Sequence, residues 1–154
     1  MIKHIWSVLC RKSSIDSETN NISLNDVFEQ LGVDVTSNNG KFPEVVNLPI
    51  EFEIVSMWCR EVLEKHLKAD IQIELVNPTG KKMKEFAEKV DMPVNMKRLR
   101  TRLRVVGFTV DMSGDYFFKV KVKEEGHAEY EQVAKLPLEV NLIKLKTDKN
   151  LPSS

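Results

Sequence analysis

Apolar and polar residues alternate along much of this chain, and the alternation predicts strands more than helices. After the turn at Ser113-Gly114, Tyr116, Phe118, Val120 and Val122 share one parity, while Lys119, Lys121 and Lys123 share the other. A side-chain period of two marks a strand with one buried face and one wet face. The same rhythm runs through Ile71-Gln72-Ile73-Glu74-Leu75. It returns where Leu99, Thr101, Leu103 and Val105 interleave with Arg98, Arg100, Arg102 and Arg104. Ile2 to Leu9, Ile22 to Val27, Ile50 to Ile54 and Leu136 to Leu145 are further candidates. Past Ile54 the apolar parity passes to Val55, Met57 and Cys59, a slip of the kind a β-bulge produces.

Turn formers separate these runs: Ser13 to Asn21, Thr36 to Lys41 around Asn38-Asn39-Gly40, Asn77-Pro78-Thr79-Gly80, and the loop around Gly126. Three segments leave a helix open. Val27, Phe28 and Leu31 fit a short helical turn, and Val62, Leu63, His66 and Leu67 fit one helix face. Met83, Phe86, Ala87 and Val90 recur at i, i+3, i+4 and i+7, which favours a helix. Lys81, Lys82 and Lys84 would sit badly at its N-terminal dipole, so a hairpin strand competes on equal terms. The expectation is a mainly β, antiparallel β-sandwich, immunoglobulin-like or similar, of about eight strands with room for one or two short helices. Residues 1–146 are expected to form a single sandwich domain and 147–154 a flexible C-terminal tail.

Composition narrows the classes. A chain of 154 residues that is 42% hydrophobic and 30% charged is ordinary for one globular domain. No apolar run approaches the length of a membrane span, and the N-terminal segment does not read as a signal peptide. Cys10 and Cys59 lie in apolar runs and are expected to be buried free thiols of a cytoplasmic protein. Basic and acidic residues balance at 23 each, but unevenly along the chain. Ser13 to Glu64 carries a net −8 and Lys97 to Lys123 a net +6. Such segregation makes either a dipolar surface for a partner or acidic and basic strands that neutralise one another side by side.

Trp6-Ser7-Val8-Leu9-Cys10, Ile15-Asp16 and Thr19-Asn20-Asn21-Ile22-Ser23-Leu24, followed by the turns Asn77-Pro78-Thr79-Gly80 and Gly114-Asp115-Tyr116, resemble a family of small uncharacterised bacterial proteins. The resemblance implies an immunoglobulin-like or similar sandwich and brings no catalytic residue with it. Tyr116, at a strand start, also resembles the tyrosine corner of immunoglobulin-like domains.

Motifs for chemistry are sparse. His4, His66 and His127 are scattered, without the spacing of a zinc or iron site. No nucleophile elbow and no phosphate-binding glycine loop occurs. Glu51 and Glu53 share a strand face that reads as solvated. No enzyme activity and no cofactor is therefore expected. What stands out is the arginine row, Arg98, Arg100, Arg102 and Arg104, projecting from one strand face over roughly 20 Å. Guanidinium groups that close repel unless anions lie nearby, and they bind carboxylate and phosphate in a bidentate manner. The row is either a cross-strand ladder with Glu51, Glu53 or Glu74, or a binding face. The expected function is a non-catalytic interaction or structural module, with another protein or a second copy of the chain as partner. The alternative is an anion-binding module that takes nucleic acid or a phosphorylated ligand on the arginine face.

Overall fold

Each of the alternating runs forms a strand, and none of the segments that left a helix open is helical: Met83 to Val90 is a strand, Val62 to His66 is a loop, and Phe28 links two strands. The computed structural model describes residues 1–145. It contains β1 (Lys3–Ile15), β2 (Ile22–Val27), β3 (Gln30–Thr36), β4 (Val46–Cys59), β5 (Leu67–Val76), β6 (Lys82–Met92), β7 (Arg98–Val110), β8 (Gly114–Glu124) and β9 (Glu131–Leu145). These nine strands form two sheets, in the orders β2-β1-β4-β7 and β3-β9-β8-β5-β6, and the described residues contain no helix. The expected tail, 147–154, lies outside the described residues.

The arrangement is sandwich-like, with one of the two sheets curled into a half-barrel. One cluster of buried side chains joins the sheets. Phe52 of β4 meets Phe118 of β8 with ring centroids 5.7 Å apart, and Phe108 of β7 meets Tyr116 of β8 at 5.8 Å. Burying a large apolar side chain of this kind contributes about 1.5–3 kcal/mol relative to leaving it in water. All pairings are antiparallel except β3 with β9. That pair departs from the antiparallel expectation because the chain passes from β2, at the rim of one sheet, to the rim of the other. Parallel neighbours need a long connection, and nearly the whole fold lies between these two.

One detail of the pattern resolves differently from the expectation, and one choice that the pattern left open falls to the strand. β4 itself is not bulged after Ile54: it keeps one register against β7 from Glu51 to Cys59, with an irregularity between Leu48 and Glu51. The shift opposite Met57 and Trp58 falls on β1, between His4 and Trp6. Phe52, Ile54, Ser56 and Trp58 point inward, with Trp58 Nε1 donating to Thr101 Oγ1 at 3.0 Å. Val55 faces outward yet is fully buried, with Val8 of β1 and Arg102 of β7 opposite it in the two ladders. The segment from Lys82 to Val90 is a strand whose helical spacing comes from a register shift opposite Leu75 and Val76. The extra residue lets both Met83 and Phe86 pack on the core.

The turns at Asn77 and Ser113 form one polar unit. The Tyr116 hydroxyl accepts from the backbone N–H groups of Asp111 and Met112 at 3.0 and 3.1 Å. Its single proton lies between Asp111 Oδ1 at 2.9 Å and the Met112 carbonyl at 2.8 Å. Asp111 Oδ2 accepts from Asn77 Nδ2 at 3.0 Å, and Asn77 Oδ1 accepts from the backbone N–H groups of Thr79 and Lys81. Gly114 adopts φ 136°, and a Cβ there would lie 2.7 Å from Pro78 Cγ, so only glycine fits. At the opposite end, Arg60 is 2% exposed and donates to the carbonyls of Met96, Lys65 and Pro93. It staples the β4–β5 and β6–β7 connections together, a role its charged surroundings in the sequence did not announce.

Candidate partner-binding edge

Strand β7 is the outermost strand of the four-stranded sheet, so one of its two backbone edges pairs with no neighbour among the described residues. Period-two geometry puts Arg98, Arg100, Arg102 and Arg104 together on the outer face. Their environments follow from what β4 presents across the ladder. Arg104 stands opposite Glu53 and pairs with Glu51 at 2.5 Å, which holds the proton on its guanidinium more firmly. Arg102, Arg100 and Arg98 stand opposite Val55, Met57 and Cys59, none of which carries a charge to offset them.

Two of these three arginines find neutral partners on the β1–β2 hairpin, which reaches across β4 to them. Arg102 Nη1 donates to Ser13 Oγ at 3.3 Å, and that hydroxyl donates to Glu53 at 2.5 Å. Arg100 Nη2 donates to the Asn20 carbonyl at 2.8 Å and to Asn20 Oδ1 at 3.0 Å. Asn20 presents both oxygens because the hairpin tip holds it at φ 60°, a left-handed conformation that asparagine tolerates. The Asp16 carboxylate shapes that tip by accepting the N–H groups of Thr19 and Glu18, which lower its pKa. Arg98 is exposed and makes no hydrogen bond or ion pair among the described residues.

Hairpin tip and arginine row together enclose a concavity of about 470 Å³, lined by Arg98, Arg100, Arg102, Thr19, Asn20 and Met57 among others. Among the described residues its lining contains three arginines, no carboxylate and no aromatic ring. A second concavity, of about 570 Å³ on β5, β6 and β8, is roomier but is lined by three lysines against four carboxylates. Charge of one sign, not volume, sets the arginine site apart.

The sequence row is therefore split. Arg104 belongs to the expected cross-strand ladder, whereas Arg98, Arg100 and Arg102 border an open site. Glu74, the third acid considered for the ladder, instead meets Lys121 at 3.1 Å. Ser13 and Asn20 complete the site, although nothing in a polar turn sequence signals contacts across some eighty residues. Phe117, whose parity placed it among lysines, is half-buried, with Lys135 Nζ 4.0 Å from its ring centroid.

Other reactive groups are less assembled. His4 Nε2 lies 2.7 Å from Ser7 Oγ, which lies 2.6 Å from the buried Ser56 Oγ. Burial lowers the His4 pKa, and its further hydrogen bond is to the Trp6 backbone, so no carboxylate orients it as a base. Cys10 and Cys59 are both free and stand at opposite ends of the β1–β4 ladder, with burial raising the Cys10 pKa. Among the described residues no three His, Cys, Asp or Glu side chains converge as metal ligands, and no helix is long and apolar enough to cross a membrane. No protein-family model matches the chain, and no curated protein matches it.

Proposed function

We propose that this chain is a non-catalytic, cytoplasmic interaction module with an immunoglobulin-like sandwich, and that it meets an acidic protein partner through β7 and the arginine face beside it. One observation carries the reading: among the described residues, Arg98, Arg100 and Arg102 line a concavity that contains no carboxylate, at the free rim of a sheet. Interaction sites are where a fold leaves charge without an internal partner, since elsewhere unpaired charge only costs stability.

The immunoglobulin-like part is supported by strand neighbours. The order β9-β8-β5 parallels strands G, F and C, and β1-β4-β7 parallels A, B and E. Tyr116 sits where a tyrosine corner belongs, and the Phe52–Phe118 contact stands where antibody domains place their inter-sheet disulfide. The resemblance to the small bacterial family points the same way. Two free thiols at opposite ends of a ladder suit a reducing compartment. Nucleic acid is the second reading, and the want of an aromatic ring in the concavity counts against it, because single-strand binders stack bases on such rings.

The test is fluorescence anisotropy with polyglutamate and with a single-stranded oligonucleotide of equal charge, at low and physiological salt. The parent is compared with the triple variant Arg98→Gln, Arg100→Gln, Arg102→Gln. Polyglutamate should bind the parent in a salt-dependent manner and should not bind the variant. Equal binding by the two proteins, or none at low salt, overturns the assignment.

A further inference from the structure

We infer that the partner segment binds to β7 as an added, extended strand carrying carboxylates at alternate positions, so that it extends the four-stranded sheet beyond its arginine rim. The inference rests on the proposed acidic partner and adds how that partner is recognised. Strand β7 runs for 13 residues with one backbone edge unpaired among the described residues. Such an edge is a template for another strand: backbone hydrogen bonds supply affinity, and side chains at alternate positions supply specificity.

The register specifies which strand fits. Opposite residues of antiparallel neighbours lie on the same face, within about 4.5–5.5 Å between Cβ atoms. On the inner side of β7 the chain already illustrates the match, because Glu51 and Glu53 of β4 flank Arg104. The other three arginines meet Val55, Met57 and Cys59 there, so carboxylates for them can come only from the free side. A strand with acids at every second residue would bring one opposite each of Arg98, Arg100 and Arg102. The Asn20 oxygens that now hold Arg100 are exposed and neutral, and a carboxylate displaces them readily.

A second copy of this chain does not fit the edge. Two-fold symmetric antiparallel pairing keeps both outer faces on the same side, so it sets arginine opposite arginine along the row. That repulsion turns the edge against itself while leaving it open to an acidic strand. The far edge of the other sheet is guarded differently. In β6, Glu88 shares the inward face with Phe86 and Val90, and a charge there discourages any added strand.

The experiment uses peptides of about eight residues, a length that spans the arginine row as a strand. One alternates glutamate with valine. A second has the same sequence with alternate backbone amides N-methylated, which preserves charge but removes strand pairing. Binding is measured by anisotropy at low salt, and chemical-shift changes map the contact. The alternating peptide should bind with shifts along β7, weaken about tenfold or more on N-methylation, and be lost in the Arg98→Gln, Arg100→Gln, Arg102→Gln variant. Unfolding midpoints of parent and variant confirm that both are folded. Equal binding of the two peptides, both lost in the variant, overturns strand addition while the acidic-partner reading stands. Binding that survives in the variant, or no binding at all, overturns both. An oligonucleotide of equal charge that outcompetes the alternating peptide overturns strand addition in favour of a nucleic-acid face.

Discussion

The two ends of β7 treat polar groups in opposite ways. Just beyond its C-terminal end, the side chains of Asp111, Tyr116 and Asn77 bond to one another and to the turns they close. At its first residue, Arg98 projects from the fold with no partner among the described residues. Across the sheet from that same end, Arg60 donates to three carbonyls and is almost wholly buried. Residue type thus says little about role in this chain. An arginine whose donors all find acceptors inside the fold holds it together, and one whose donors find none is available to something else. That contrast makes substitutions at the two ends diverge, and the divergence is measurable.

The largest effect is expected at Arg60. Arg60→Ala removes three charge-assisted hydrogen bonds, strands three carbonyls and leaves a cavity, a loss of about 4 kcal/mol. Arg60→Lys should recover only part of it, since one ammonium lacks the planar fork that reaches three separate loops. Urea denaturation midpoints provide the measurement. A loss below that of an ordinary surface substitution would mean the two connections hold without their staple. Tyr116→Phe comes next, at about 2 kcal/mol, because it leaves the N–H groups of Asp111 and Met112 without their acceptor. If Tyr116→Phe costs nothing, the corner is ornamental and the comparison loses its rigid half.

Much of this contrast was readable beforehand, and what was not has a physical cause. Alternation identified β5, β7 and β8 because each has one wet face, which makes its period of two visible. It left helix and strand on equal terms at Met83, Phe86 and Val90, where a bulged strand reproduces helical spacing. It misled at Val55, which faces outward yet is fully buried between Val8 of β1 and Arg102 of β7 in the ladders. The arginine row was legible as a row. Its division into one paired and three open members was not, because that depends on which β4 residue stands across the ladder. Nor does any local pattern report that Asn20 and Ser13 approach Arg100 and Arg102 over such long sequence separations.

A smaller effect, of opposite sign, is expected at Glu88. This carboxyl lies on the inward parity of β6, and burial raises its pKa above the ordinary glutamate value in the folded chain alone. Between the ordinary and raised values the folded state binds more protons than the unfolded state, so stability falls as pH rises through that window. Above the window the cost persists in full. Glu88→Gln should therefore unfold at a higher temperature than the parent at neutral pH. The gap should close as pH is lowered into the ordinary glutamate range. A gap independent of pH would show that packing, not charge, separates the two proteins.

The finest test compares Arg98→Gln with Arg104→Gln by thermal unfolding at low salt. Removing Arg104 leaves Glu51 without its ion pair and beside Glu53, so the midpoint should fall slightly. Removing Arg98 breaks no hydrogen bond or ion pair of its side chain among the described residues and relieves its repulsion from Arg100, roughly 6–7 Å along the strand. Its midpoint should stay level or rise. Both differences involve exposed charges, so moderate salt should erase them. An Arg98→Gln variant that loses more stability than Arg104→Gln would place Arg98 among the structural arginines with Arg60. The open end of β7 would then be closed from within, and an acidic strand would find only two arginines, each already held by the hairpin.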